Sequence, residues 1–284
     1  MYAVTGATGQ LGHLVVDALL KQVEGGKVVG LVRNPSKAGD LAARGIALRT
    51  FDYSKAETLK PALVGVERLL LISSSEVGRR ETQHLAVIEA AKATGVKFIA
   101  YTSILHADTN PLDLAVEHRA TEAALKASGI PHALLRNGWY NENYTVGLEA
   151  TAEHGVLLGS TGAGLVASAA RADYAEAAAK VLADGSTKTQ VYELAGDAGF
   201  TQGELAGLIA AASGKPVVYN DLPEEEYRRL LEGFGLPGPL AHILADSSAK
   251  AKNGALFDDS HTLSKLIGRP TTPIATSVKA AFAK

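Results

Sequence analysis

Residues 2–12 read Tyr2-Ala3-Val4-Thr5-Gly6-Ala7-Thr8-Gly9-Gln10-Leu11-Gly12. The first four form a short β-rich run, and Leu11–Leu20 carries apolar residues at helical spacing. The glycines therefore sit at a strand-to-helix turn. Gly6 can take the positive φ of a tight turn. Gly9 has no side chain to hold an anion away from the backbone, and Gly12 lets the helix lie close on the strand. The N–H groups and dipole of that helix start suit a pyrophosphate. The spacing is Gly-x-x-Gly-x-x-Gly, and its weight comes from the flanking strand and helix. A glycine-rich turn with no ligand is the alternative.

Working outward, further β-rich runs are Val28–Val32, Ile46–Thr50, Arg68–Ser73, Phe98–Thr102 and His132–Arg136. Segments of helical periodicity lie between them at Leu11–Leu20, Ser36–Arg44, Leu85–Ala93 and Ala115–Ala127. This alternation predicts an α/β fold with a doubly wound parallel sheet. Ser54 with Glu57, and Thr201 with Glu204, have capping-box spacing. Gly45, Gly95 and Gly129 stand where helix C-caps are expected. Beyond Arg136 the units become irregular, glycines cluster at 155–164, and Glu224–Glu232 reads as a charged amphipathic helix. The expected division is a nucleotide-binding domain at 1–150. A mixed segment at 151–284 completes the sheet, with Val191–Leu194 as a returning strand, and forms a smaller substrate lobe.

The 284 residues hold no cysteine, which excludes disulfides, thiolate metal sites and a cysteine nucleophile. A net charge of −2 gives no broad electrostatic reason to bind nucleic acid or an anionic membrane. Met1–Gln10 holds no signal-like pattern, and the apolar stretch at Leu69–Ile72 is far too short to span a bilayer. A soluble, cytoplasmic protein is expected, with no nucleic-acid or membrane partner.

The second β-run ends at Val32 and continues Arg33-Asn34-Pro35-Ser36-Lys37. An acidic residue here would hold the ribose diol of NAD, and none is present. A guanidinium at this place pairs with a 2′-phosphate and favours NADPH. Lys37 is a second phosphate partner, and Asp52-Tyr53 falls where an adenine edge would lie. A solvated basic turn is the alternative.

None of the nine tyrosines has a lysine four residues later, so the tyrosine–lysine proton relay is absent. No Gly-x-Ser-x-Gly and no paired histidine spacing occurs, so no nucleophile elbow and no metal site is expected. Polar residues gather instead at the expected strand ends. These are Ser73-Ser74-Ser75-Glu76, Thr102-Ser103 and Asn137-Gly138-Trp139-Tyr140-Asn141-Glu142-Asn143-Tyr144. The last stretch combines aromatic faces with amides, which suits a flat ring bearing carbonyl groups. A buried aromatic turn is the alternative. Asn137 and Tyr140 are candidate hydrogen-bond donors to a developing oxyanion. His118 is a candidate proton source; it shares a helical face with Glu122, and an exposed surface pair is the alternative.

Several segments together carry a family resemblance: Thr5–Gly12, Val32-Arg33-Asn34-Pro35, Leu71-Ile72-Ser73-Ser74-Ser75-Glu76-Val77-Gly78, Ala100-Tyr101-Thr102-Ser103, Leu135-Arg136-Asn137-Gly138-Trp139-Tyr140 and Phe257-Asp258-Asp259-Ser260. With these the chain resembles, end to end, the bacterial NADPH:quinone oxidoreductase 2 branch of the NmrA-like, atypical short-chain dehydrogenase/reductase family. The resemblance implies an extended Rossmann fold, NADPH bound without flavin, and two-electron reduction of quinones or similar conjugated carbonyls; a monomer or homodimer is expected. It implies nucleotide contacts from Gly6, Ala7, Thr8, Gly9, Gln10 and Leu11, from Arg33, from Ser73, Ser74 and Ser75, from Asn137, Gly138, Trp139, Tyr140, Asn141 and Glu142, and from Arg171. The same family holds triphenylmethane dye reductases and NADP-sensing regulators that do not turn over; a ketone reductase with the same hydride donor is a further alternative.

A 2′-phosphate held by Arg33 gives a direct prediction. Arg33→Ala should weaken NADPH binding by about tenfold or more while leaving NADH nearly unchanged, as expected for losing one charge-assisted contact. Titration with both nucleotides checks this, and an unchanged NADPH affinity contradicts it.

Overall fold

The computed structural model describes residues 1–283. In the first part of the chain the elements are β1 (Tyr2–Thr5), α1 (Gln10–Leu19), β2 (Val28–Val32), α2 (Gly39–Ala42), β3 (Ala47–Thr50), α3 (Ala56–Leu63), β4 (Arg68–Leu71), α4 (Arg80–Ala93), β5 (Phe98–Ile104), α5 (Ala115–Ser128) and β6 (His132–Asn137). There follow α6 (Glu142–Thr145), α7 (Leu148–His154), β7 (Val156–Gly159), α8 (Arg171–Ala183), β8 (Gln190–Leu194), α9 (Gln202–Ser213), β9 (Val218–Asp221), α10 (Glu224–Gly233), α11 (Gly238–Ala251), α12 (Thr262–Ile267) and α13 (Ile274–Phe282).

Seven strands form one sheet in the order β3-β2-β1-β4-β5-β6-β8. Pairs from β3 through β6 are parallel, with Val4 opposite Gly30 and Leu70 opposite Ala100. This is the strand order of a dinucleotide-binding α/β fold. The chain divides into two compact units. Unit 1 comprises Met1–Ala107, Val116–Asn137 and Ala172–Tyr192; unit 2 comprises Asp108–Ala115, Gly138–Arg171 and Glu193–Lys284.

Unit 1 is built on strands buried on both faces, as parallel strands require. On one face Leu69, Leu71, Ile99 and Tyr101 meet Leu59 and Leu63 of α3 and Val87, Ile88 and Ala91 of α4. On the alternate positions Arg68 is buried with its guanidinium 4.0 Å over the Phe98 ring. It donates to the carbonyls of Leu182, Val181 and Ser186, satisfying chain ends around α8. Unit 2 contains a second, two-stranded parallel sheet, β7–β9, and the packed helix pair α10 and α11.

Most local signals are realised. Gly45, Gly95 and Gly129 take positive φ, and Thr201 and Glu204 form a full capping box at α9. Val191–Leu194 lies within β8 and joins the main sheet. Two expectations are corrected. Ser54 caps nothing: α3 starts after Lys55 without a side-chain cap, because the Asp52 carboxylate accepts the Ser54 N–H and Thr58 Oγ1 accepts the Asp52 N–H. The helix expected over Ser36–Arg44 is instead a 3₁₀ turn, Pro35–Lys37, and the single turn of α2, which buries only Leu41. With so little apolar surface to bury, a longer helix has nothing to hold it.

The turn after β1 is tight. Gly6 has φ +57°, and a Cβ on Gly12 would lie 2.2 Å from the Gly6 carbonyl oxygen. Backbone is not free to yield, so Gly12→Ala should destabilise the protein by about 3 kcal/mol. Gly26→Ala, with open space around the added carbon, should leave the urea midpoint nearly unchanged. Equal midpoints for the two variants would contradict the close approach.

Candidate functional site

The glycine loop in unit 1 keeps the backbone groups at the start of α1 uncovered. Gly9 is the N-cap residue of α1, with no side-chain cap. The Gly9 N–H closes the turn on the Gly6 carbonyl at 2.8 Å, and the His13 N–H begins the helical ladder on Gly9. The next loop is shaped by Asn34, whose Oδ1 accepts from the Ser36 N–H and the Ser36 hydroxyl. Arg33 and Lys37 are left exposed, with no side-chain partner among the described residues. An unpaired guanidinium and an uncapped helix start are the two groups that a phosphorylated dinucleotide needs.

The Ser73–Ser75 segment is held from below by its own unit. The Ser73 N–H donates to Thr102 Oγ1 and the Ser74 N–H to His84 Nε2, at 2.8 and 2.9 Å. Arg80 Nε donates to the Ser74 carbonyl at 2.6 Å. Ser73 Oγ is buried beside the Tyr101 hydroxyl. Beneath the segment runs a ladder of rings, Phe51, Tyr53, His84, Tyr101 and His118, with successive centroids 5.5–6.1 Å apart. The Tyr53 hydroxyl lies 2.6 Å from Thr5 Oγ1 and from the Ile72 carbonyl, tying the ends of β1 and β4 together. Sequence reasoning missed Tyr53, His84, Thr102 and Arg80 as supports, because each acts across a fold contact that no local spacing announces.

His118 and Glu122 do not form an exposed pair. His118 is buried, with Nδ1 2.8 Å from the Tyr101 hydroxyl and Nε2 facing the Arg80 guanidinium. Glu122 pairs with Arg136 at 2.7 Å and accepts from the Ser103 hydroxyl. Burial and the nearby Arg80 charge hold His118 well below the ordinary histidine range. The same two causes push His84 down to about 3. His84 is thus neutral, with Nε2 as the acceptor of the Ser74 N–H. Asn137, at the end of β6, is buried and its Oδ1 has no partner among the described residues.

In unit 2 the aromatic-amide stretch is a braced turn. Asn141 is fully buried; its amide donates to the Thr272 carbonyl and Ser277 Oγ, and its Oδ1 accepts from Ser168. The Glu142 carboxylate accepts the Arg171 N–H and so caps α8. The Arg171 guanidinium lies 4.9 Å over the Tyr140 ring, so Arg171 does open a helix as the sequence indicates. Next to this turn is a cavity of about 690 Å³ whose walls include Trp139, Asn143 and Tyr144. Among the described residues no cluster of metal-ligating side chains occurs. Thus Gly6–Leu11, Arg33, Ser73–Ser75, His118 and Asn137 lie in unit 1, and Gly138–Glu142 lie in unit 2 with Arg171.

The neutral histidines set the acid limit of the fold. His84 binds a proton at an ordinary value near 6.5 when unfolded and only at about 3 when folded. Its contribution is therefore complete above pH 6.5 and is lost as pH falls from there towards 3, by about 1.4 kcal/mol per pH unit. Urea midpoints should fall steadily below pH 6.5, and His84→Asn should flatten that slope. An unchanged slope in the variant contradicts the assignment.

Residues 6–185 match the model of a family described as NAD(P)H-binding. Quinone oxidoreductase 2 of Escherichia coli is 56% identical over 99% of both chains. The crystal structure of an Escherichia coli NADPH-dependent quinone oxidoreductase complexed with NADPH superposes with a TM-score of 0.97, covering 99% of this chain and 100% of that one. The Citrobacter sp. triphenylmethane reductase complexed with NADP(H) is 38% identical, with a TM-score of 0.94 and coverage of 99% and 100%. The uncapped glycine loop and its full-length relatives agree: the chain belongs to the NAD(P)H-binding family, in its NmrA-like branch.

Proposed function

We propose that this chain is an NADPH-dependent oxidoreductase that reduces quinones or similar conjugated carbonyls without flavin. The observation that carries this reading is the pairing of an uncapped, three-glycine helix start with an unpaired Arg33, in a chain 56% identical along its length to a quinone oxidoreductase. The residues fit the nucleotide. A Cβ on Gly9 or Gly12 would meet the Gly6 carbonyl, so these glycines let the helix start close on the turn with its first amides uncapped, and Asn137 Oδ1 is a buried polar atom with no partner among the described residues.

In this reading unit 1 carries the nucleotide, and unit 2, to which Gly138–Arg171 belongs, supplies the acceptor lobe. The loop Gly6–Leu11 cradles the pyrophosphate, with the unbonded N–H groups of Gln10 and Leu11 at the start of α1 donating to it, and Arg33 holds the 2′-phosphate. Ser73–Ser75, Asn137–Glu142 and Arg171 position the remainder. When bound, NADPH supplies a hydride, and with one further proton a quinone becomes a hydroquinone. Asn137 and Tyr140 orient the acceptor and stabilise the negative charge that develops on its oxygen. His118, with both ring nitrogens engaged, acts by fixing Tyr101 and Arg80 beneath the Ser74 segment. A quinone accepts hydride readily, so alignment supplies most of the rate and no strong acid is required.

Among the described residues no helix is long and apolar enough to cross a membrane. A cytoplasmic location, a monomeric or homodimeric state and the lack of a nucleic-acid partner belong to the same proposal.

Flavin-free protein should oxidise NADPH in the presence of a benzoquinone, with hydroquinone formed in equal amount. Asn137→Ala should lower kcat by about a hundredfold to a thousandfold, in the range for a lost oxyanion donor. Nucleotide binding with no turnover across quinones, dyes and ketones would instead identify a sensor and overturn the enzyme reading.

A further inference from the structure

The cavity in unit 2 is larger and more apolar than a bare quinone ring requires. Its volume of about 690 Å³ falls among sites that take drug-sized ligands, roughly 300–1,000 Å³. Leu148, Leu157, Leu158, Leu231, Leu244 and Leu256 are among its walls, and no Asp, Glu, Lys or Arg lines it among the described residues. On one flank Ser248 Oγ accepts the Ser160 N–H and lies 2.9 Å from Thr161 Oγ1, while the neighbouring Ser247 Oγ is the one buried wall hydroxyl with no partner among the described residues. The amide and aromatic groups able to recognise a carbonyl, Trp139, Asn143 and Tyr144, come from the turn after β6. Two apolar wall residues are exposed, Val146 at 84% and Phe234 at 67%. A residue that both lines a cavity and faces solvent stands at the opening. Exposed apolar side chains at an opening mark where apolar ligand surface is expected.

We infer that unit 2 takes an acceptor ring bearing a long apolar side chain, alkyl or isoprenoid, with the ring at Trp139–Tyr144 and the chain running out past Val146 and Phe234. The inference rests on the proposed reductase activity, and it names the substrate class of that site. With no lysine or arginine in the wall among the described residues, acidic or phosphorylated acceptors are disfavoured, because a buried charge needs a partner. The leucine walls give each methylene a gain, and the gain stops once the chain passes the opening.

The test is a tail-length series on the intact chain. Dimethoxy-methyl-benzoquinone and derivatives with alkyl tails up to decyl are compared by kcat/KM with NADPH. The expected result is a rise of about fourfold for each methylene that enters the cavity, followed by a plateau. Phe234→Asn should reduce the ratio of decyl to tailless kcat/KM by at least severalfold; because Phe234 is exposed, its replacement leaves the core intact. Turnover of every quinone with no dependence on tail length overturns the inference and spares the reductase reading. If no quinone turns over, the reductase reading fails, and binding decides the inference alone. A redox-inert decyl-dimethoxybenzene, followed by quenching of Trp139, the chain's single tryptophan, should then bind more tightly than the tailless compound and less tightly to Phe234→Asn. Equal quenching by both compounds overturns it.

Discussion

The contact on which the rest depends is backbone against backbone, where Gly12 in the first turn of α1 passes over the Gly6 carbonyl. No side chain fits between them. That approach brings the helix start to the end of a buried strand, with its first amides uncapped. Because peptide groups rather than mobile side chains are the donors there, the proposed anion site is formed before any ligand arrives. The parallel sheet fixes the rest by register. Val4 lies beside both Gly30 and Leu70, so the loops after β1, β2 and β4 emerge at one end of unit 1.

The support under the Ser73–Ser75 segment shows how a buried polar network can be kept neutral. His84 accepts one backbone N–H and faces the Thr121 hydroxyl, so its tautomer is fixed by its partners. Arg80 supplies positive charge to this region, which further disfavours a proton on either histidine. A charged imidazole at His84 could not accept the Ser74 N–H, and the segment would lose its anchor. The network makes the backbone of a loop rigid, which is what positioning a ligand demands.

Much of the fold was legible because its signals are local. A glycine triplet between strand and helix, C-cap glycines at 45, 95 and 129, and alternation of buried runs with helical periodicity need no knowledge of distant residues. For the proposed site, the sequence offers only residue types in consecutive positions, as at Arg33 or Trp139-Tyr140. The site was illegible where function depends on long-range contact. Nothing near His118 in sequence says that Tyr101 and Arg80 will enclose it, and nothing near Glu122 says that Arg136 will claim it. Asn141 reads as a ligand group, yet Thr272 and Ser277, well over a hundred residues away, absorb its amide. The cavity walls drawn from α7, α10 and α11 carry no motif at all, because apolar lining and apolar core look alike in sequence.

In the proposed reading unit 1 holds one phosphorylated dinucleotide at two points, its pyrophosphate at the start of α1 and its 2′-phosphate at Arg33. Phosphorus NMR of NADPH titrated with the purified chain observes both groups at once. The expected result is that the pyrophosphate and 2′-phosphate resonances shift and broaden together, saturating at one equivalent. Resonances that stay at their free positions, or a pyrophosphate shift with an unmoved 2′-phosphate, would contradict it.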